Sequence, residues 1–473
     1  MKNPGPSTYS EFVAEVRKFN RLALLEAIAA LAPAVSSAAT SVALLRQVAP
    51  WALAQVAKAS MLCGNDFRHR DQICEKDIVH LANQYQRLPT LKGSEVDASL
   101  IPLRLAYEQF PFMTSDLEEW ARSIAIFERM PSSESQLEQY SLLGESVYDC
   151  PVSEVVYVLR VISAFSSGHR GWWSDEYFLA DGFRVHSEKI GLEKCVAIRK
   201  SLTSNLSALS ISCRELEIDG AHLQAEDENP LWTQPIVEYP DGRLLVPIPR
   251  FLDFLASPDG FASSGYSRFK NSFTGDLGKL VEAYAGKVLA SLPNSKLIGE
   301  REIGTPENSQ MSVDWIVELP EVTLLIEVKA ARPLQVEKAG SKSAASTYDR
   351  GLAKAFSQIQ VTKDYLLADG PVFDDLRGGH TVGLVVTLEP FYLANSGLYI
   401  DRPEGVFVSN LRELEDMVQL PSEVLANRLL TLTPENPESK HDLRHSLKLN
   451  EVLTRHELIQ AAAMAHPGMT PEQ

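Results

Sequence analysis

Two carboxylates and an ammonium stand in an otherwise apolar stretch, VDWIVELPEVTLLIEVKAARP, from Val313 to Pro333. The runs on either side of Leu319-Pro320-Glu321 predict two strands joined as a hairpin. With the turn centred between Pro320 and Glu321, Asp314 falls opposite Glu327 on one face, their Cβ atoms about 5 Å apart. Lys329 is two residues beyond Glu327 and points to the same face. Val313, Trp315, Val317, Leu324 and Val328 then point to the other. A one-residue slip in register would undo the grouping.

Like charges opposed on a sheet are destabilising, and a divalent cation between them removes the repulsion. Two carboxylates, waters and a phosphate oxygen make a ligand set suited to Mg²⁺, with Mn²⁺ as the alternative ion. Such an ion polarises a phosphodiester and lowers the pKa of a bound water. Lys329 can orient that water or neutralise charge on the scissile phosphate. The bland alternative is an Asp–Glu–Lys cluster on the polar face of a surface hairpin.

The elements around the hairpin must position these groups. The first half reads as helices, with apolar residues at three- and four-residue spacing and Ser7 or Thr8 able to cap the first one. No fixed repeat length is present. Near residue 230 the texture changes: QPIVEYPDGRLLVPIPRF reads as two short strands around a YPDGR turn. Then follow a long helix (SRFKNSFTGDLGKLVEAYAGKVLASL), a strand (SKLIGEREIG), the two strands of the hairpin, a helix (STYDRGLAKAFSQIQVTKDYLLA), two strands (HTVGLVVTLEPFYL and GVFVSN) and a helix (LRELEDMVQ). The order predicts a mixed sheet with helices packed against it.

This order, with its acids, resembles the PD-(D/E)XK nuclease superfamily, the restriction-endonuclease-like fold. There, a helix supplies an acid, one strand an Asp, the next strand Glu-x-Lys, and a second helix often a Gln. The resemblance covers about residues 250 to 415. It implies Asp314 and Glu327 as metal ligands, Glu282 of GDLGKLVEAYAGKVL as the helical acid assisting them, and Lys329 as the residue that positions the nucleophile. Gln358 of AFSQIQVTKDY matches the helical glutamine, with Gln360 the weaker match. Asp276 and Glu300 are acids able to stand in for Glu282. Val313 occupies the place of the family's Pro. The implied activity is Mg²⁺-dependent hydrolysis of phosphodiester bonds by an endonuclease, with DNA the first substrate and RNA, tRNA included, the second. Fusions of this kind resemble bacterial restriction and phage-defence effectors.

The expected architecture is therefore α+β and multidomain. An all-α segment (1–228) for sensing, dimerisation or partner binding precedes a β-hairpin connector (229–250). The nuclease-like domain with its central mixed sheet follows (251–420), then a helical C-terminal extension (421–473). From Arg332 to Lys363 six basic residues face two acidic ones, and Lys338, Lys342, Arg350 and Lys354 are candidates for phosphate contacts. A homodimer and a partner protein of a defence system are the expected associations.

The bulk numbers narrow the alternatives. A formal charge of −17 argues against a nonspecific nucleic-acid coat. Five cysteines without a CxxC pair argue against a zinc ribbon or a disulfide framework and fit a reducing cytoplasm. The uncharged run Ala27–Leu45 contains Pro33 and much Ala and Ser, a poor membrane span, so no membrane association is expected. Neither a GxxxxGK[ST] loop nor a GxSxG elbow is present. His169, Arg170, Trp172 and Trp173 form a basic, aromatic cluster that reads chiefly as a core anchor and secondly as a base-stacking platform. The non-enzymatic competitor is a scaffold that retains a nuclease-like fold for binding.

Overall fold

The computed structural model describes residues 8–36, 48–67, 72–88, 101–109, 112, 116–130, 150–209, 229–269, 271–305, 308–332, 344–368, 371–376, 379–433, 436 and 440–465. In the first half the helices are α1 (Tyr9–Val16), α2 (Arg21–Ser36), α3 (Pro50–Cys63), α4 (Glu75–Gln86), α5 (Ile101–Gln109), α6 (Asp116–Phe127), α7 (Val152–Gly168), α8 (Arg184–Ile190) and α9 (Leu192–Ser201). The expected first helix is two helices. Thr8 caps α1, accepting from the Glu11 amide at 3.2 Å. Asn20 interrupts the run and restarts it, its side chain accepting the amides of Leu22 (3.0 Å) and Ala23 (3.1 Å). An Asn that satisfies the first free N–H groups of a helix is worth more as a cap than as an interior residue. Among the described residues no helix is long and apolar enough to cross a membrane.

The first half is not wholly helical, which corrects the all-α expectation. Strands β1 (Trp172–Trp173) and β2 (Thr203–Asn205) join β3 (Ile236–Glu238) and β4 (Leu244–Leu245) in a four-stranded sheet of order β1-β4-β3-β2. The YPDGR hairpin is therefore β3–β4, with Gly242 at φ 82° in its turn. A lone two-stranded hairpin leaves unpaired backbone groups on both edges; here the first half supplies both partners.

Helices α10 (Arg250–Leu255), α11 (Pro258–Phe269) and α12 (Asn271–Leu289) lead into the larger sheet. The strands that follow are β5 (Lys296–Gly299), β6 (Glu302–Thr305), β7 (Asn308–Met311), β8 (Trp315–Leu319) and β9 (Val322–Lys329), of which β6 and β7 pair as a separate two-stranded sheet. Then come α13 (Ala344–Leu367), β10 (His380–Thr387), β11 (Val406–Asn410), α14 (Leu411–Met417), α15 (Ser422–Leu430), α16 (Leu443–Ser446) and α17 (Glu457–Ala465). Five strands form the sheet in the order β11-β10-β9-β8-β5, antiparallel among β5, β8 and β9, parallel among β9, β10 and β11. Within the five-stranded sheet the order is the expected α-β-β-β-α-β-β-α, but the expected SKLIGEREIG strand is two, β5 and β6, and β6 pairs with the unexpected β7. Helix α13 is the crossover that a parallel β9–β10 pair requires.

The hairpin is greasy on both faces because the sheet is covered on both. Val322, Leu324, Ile326 and Val328 bury into the cluster that holds Val281, Tyr284 and Val288 of α12. Leu325 turns to the other face, against Leu352, Phe356 and Ile359 of α13. A strand covered on two sides reads as a continuous apolar run. The first of these clusters also contains Trp120 and Ile124 of α6 and Val155 and Leu159 of α7, so the change of texture near residue 230 is not matched by a break in the core. The C-terminal extension folds back: Arg455 pairs with Glu118 of α6 at 2.8 Å, and the His456 ring lies 2.9 Å from the Ser291 hydroxyl.

Candidate active site

The hairpin register is the one the sequence predicts. Trp315 pairs with Ile326, Ile316 with Leu325 and Leu319 with Val322, with Pro320 and Glu321 at the turn. The next position outward brings Asp314 across from Glu327. The Asp314 carboxylate accepts the Val328 amide at 2.7 Å, and the Glu327 carboxylate accepts the Asp314 amide at 3.3 Å. Lys329 donates its ammonium to Glu327. The three residues singled out first are thus one group at the end of the sheet.

A bulge aims Asp314. Between the Gly299–Trp315 pair and the Glu302–Met311 pair, two residues on one strand oppose three on the other. The extra residue increases local bending and re-aims side chains. It also moves Val313, which was expected beside Trp315, into the cluster under α13. The Val313 amide is held there by the Thr362 hydroxyl at 3.1 Å, which in turn donates to the Gln358 carbonyl at 2.9 Å.

Gln358 therefore lies one helical turn from the residue that anchors the bulge. Its side-chain Oε1 is buried and, among the described residues, accepts no hydrogen bond, an uncommon and costly condition. Lys329 is tied at its backbone as well, its carbonyl accepting the Leu388 amide at 3.3 Å.

The electrostatics are strained. Glu327 is 0% exposed. Burial, then the Asp314 charge, push its carboxyl up to about 7, and Lys329 offsets only part of this. Burial also raises Asp314, against the pull of the Val328 amide and Lys329. A third acid belongs to the group: Glu300 is raised by burial and by the Asp314 charge and lowered by Lys329. The register carried that signal, because Glu300 directly follows the strand that pairs with β8.

Glu282 stands differently. Helix α12 covers the Trp315 side of the sheet, and Glu282 meets the hairpin through its backbone carbonyl, which accepts the Trp315 indole N–H at 3.3 Å. Gly286, one turn on, lies under the same indole, where a Cβ would come within 2.3 Å of the ring. Of the phosphate-contact candidates, Lys338 and Lys342 fall outside the described residues. Arg350 lies in α13 with its side chain outside them, and Lys354 is exposed one turn later. Arg332, beyond Lys329, stacks its guanidinium on Tyr266 of α11 at 3.9 Å.

Among the described residues no three His, Cys, Asp or Glu side chains are disposed to hold one ion directly. Two carboxylates nonetheless fit Mg²⁺, which commonly keeps several waters and substrate oxygens. Gln358 is linked to Val313, beside Asp314, through its backbone carbonyl and the Thr362 hydroxyl.

Of the aromatic cluster Trp173 belongs to the core, Trp172 is half-buried, and His169 and Arg170 are exposed. Trp173 is buried with its indole N–H on Asp175 at 3.0 Å, Arg243 covers Trp172 at 4.3 Å, and His169 stacks on Tyr177. In comparisons with known proteins the chain matches no family model, no curated protein and no solved structure.

Proposed function

We propose that the chain is a metal-dependent nuclease of the PD-(D/E)XK type, hydrolysing phosphodiester bonds, with DNA as substrate and RNA as the alternative. The observation that carries this reading is the reciprocal capping of Asp314 and Glu327 beside Lys329. The sheet order and the α13 crossover support it. Asp314 and Glu327 would hold Mg²⁺ or Mn²⁺, which when bound supplies Lewis-acid polarisation and a more acidic water. Displaced from Glu327 toward substrate, the Lys329 ammonium donates a hydrogen bond to the attacking water or to a phosphate oxygen. Gln358 accepts a hydrogen bond from water at the site. Arg332 and Lys354 offer charge to flanking phosphates. Restriction or phage defence is the biological setting this architecture suggests, by analogy of architecture alone.

The test is cleavage of supercoiled plasmid, single-stranded DNA and RNA with and without Mg²⁺, comparing the unmodified chain with Glu327→Gln and Lys329→Ala after each is shown to be folded. Metal-dependent cutting lost in both variants supports the reading. One observation favours the scaffold instead: Lys329 already neutralises Glu327 without a cation. Calorimetry decides between them, since a scaffold of this kind binds no Mg²⁺ at Asp314 and Glu327.

A further inference from the structure

Glu300 completes a row that Asp314 and Glu327 begin. Pairing runs from β5 to β8 as far as Gly299–Trp315, and from β8 to β9 through Trp315–Ile326. One residue further out, at the same end of the sheet, stand Glu300, Asp314 and Glu327 on three adjacent strands. Opposed residues share a face, and the positions just inside them, Ile298, Ile316 and Leu325, lie together in the cluster under α13. Three carboxylates therefore share this end of the sheet with Lys329, which pairs with Glu327 and whose charge reaches Glu300.

The fold fixes Glu300 where repulsion would favour moving it. Arg301, its neighbour, binds Asp375 at 2.8 Å and the Val372 carbonyl at 2.6 Å. Its amide donates to the Ser312 hydroxyl at 2.9 Å, and its carbonyl accepts the Ser312 amide at 2.8 Å. Lys296, at the start of β5, reaches the same Asp375 at 2.8 Å. Asp375 thus clamps both ends of a short strand, and Glu300 projects from it, exposed. Among the described residues it enters no ion pair. An acid held rigidly beside two others, with no cation of its own, suits an incoming one.

We propose that Glu300, rather than Glu282, is the third acidic group of the cation site, and that it acts as a positioning residue through a metal-bound water. The inference rests on the reading of Asp314 and Glu327 as ligands. The role assigned is an outer one, through water, since no three such acids among the described residues are grouped to hold one ion directly. Glu282, by contrast, meets the hairpin from α12 through its main chain.

The experiment is titration of the full chain with Mn²⁺, followed by calorimetry and by the paramagnetic signal of the free ion, together with melting of the metal-free proteins. Glu300→Gln should weaken Mn²⁺ binding about 10- to 100-fold, as loss of an outer-shell partner does. Its metal-free melting temperature should be unchanged. Glu300→Asp should recover part of the affinity, and Glu282→Gln should stay within about twofold of the unmodified chain, well short of an outer-shell loss. Unchanged affinity in Glu300→Gln overturns the inference and leaves the nuclease reading standing, as does a loss confined to Glu282→Gln. A metal-free melting temperature that drops in Glu300→Gln also overturns it, by showing a structural role. No Mn²⁺ binding by the unmodified chain removes the nuclease reading itself, and this inference with it.

Discussion

Asp314 and Glu327 each bind the main chain of the other's strand: the Asp314 carboxylate takes the Val328 amide at 2.7 Å, and the Glu327 carboxylate takes the Asp314 amide at 3.3 Å. Each acid is thereby a structural cap as well as a candidate ligand. The two roles predict different sensitivities to substitution. Glu327→Gln keeps an oxygen for the Asp314 amide and loses the charge, so it should stay folded. Metal-dependent cleavage should fall by about a hundredfold to a thousandfold, a loss typical for removal of one strong electrostatic contact. Asp314→Ala removes the cap and should cost about 1–3 kcal/mol of stability through the unpaired Val328 amide. Urea unfolding beside a plasmid-nicking assay separates the two effects.

Lys329→Ala tests the remaining member. Its ammonium neutralises Glu327 in the metal-free chain, so the substitution should leave Glu327 still more reluctant to ionise. Cation affinity near neutral pH should drop only modestly, since the cation replaces the lysine as the counter-charge. Cleavage should fall about a hundredfold or more. Equal losses of binding and cleavage would show that Lys329 serves the ion and not the chemistry.

Much of this site was legible because a hairpin with a two-residue turn has its register fixed once the turn is located. LPE located it, and Asp314, Glu327 and Lys329 followed. The sequence offers Glu300 only as an acid able to stand in for Glu282, and the Gly299–Trp315 pairing, not the hairpin turn, places it beside Asp314. The displacement of Val313 was not legible, since it depends on a bulge in which two residues oppose three. Helix periodicity found α12 and α13 but not that the Glu282 carbonyl accepts the Trp315 indole N–H. Strands β1 and β2, two and three residues long, carry too little alternation to be seen against the surrounding helices.

Metal-free stability should depend on pH through Glu327. Its carboxyl lies at about 7 in the folded chain against an ordinary 4.5. Below about pH 4.5 both folded and unfolded chains carry the proton. As pH rises from there toward 7, the unfolded chain releases it while the folded chain retains it, so stability falls. The loss levels off above about pH 7, at roughly 3 kcal/mol at most. Cation binding must displace the same proton, so affinity should rise up to about tenfold per pH unit and flatten above neutrality. Denaturation curves from pH 5 to 8, with and without Mg²⁺, should show the falling limb in the unmodified metal-free chain and a weaker one in Glu327→Gln.

Gln358 offers a trade between stability and activity. Its buried Oε1 has no partner among the described residues, and burying an unpaired amide oxygen costs about 1–3 kcal/mol. Gln358→Met keeps the volume and removes the unpaired oxygen. The variant should melt at a higher temperature, by about 1 kcal/mol in stability, and should cut more slowly with added Mg²⁺. A variant that is both less stable and fully active would show that the oxygen has a partner unrelated to the site.

The charged knot between the helical half and the sheet should be the costliest place to remove one partner. Arg122 of α6 grips Glu415 of α14 with two bonds, 2.8 and 2.7 Å, and Glu119 at 2.6 Å. Arg412 binds Glu119 at 2.6 and 2.9 Å and Asp259 of α11 at 3.1 Å, and the Tyr284 hydroxyl of α12 donates to Glu415 at 2.8 Å. Burial alone would raise Glu119, but the guanidiniums of Arg122 and Arg412 outweigh it and hold the carboxyl at about 2. Its stabilisation is therefore present above the ordinary pKa of about 4.5 and is lost as pH falls toward 2. Arg122→Met leaves Glu415 and part of Glu119 buried without a counter-charge and should cost about 3–5 kcal/mol. Adding Glu415→Leu should restore most of that, because a buried ion pair replaced whole by apolar groups is close to neutral. Urea midpoints of the single and double variants at neutral pH measure both. A double variant no more stable than Arg122→Met would mean that Glu415 acts mainly through Tyr284.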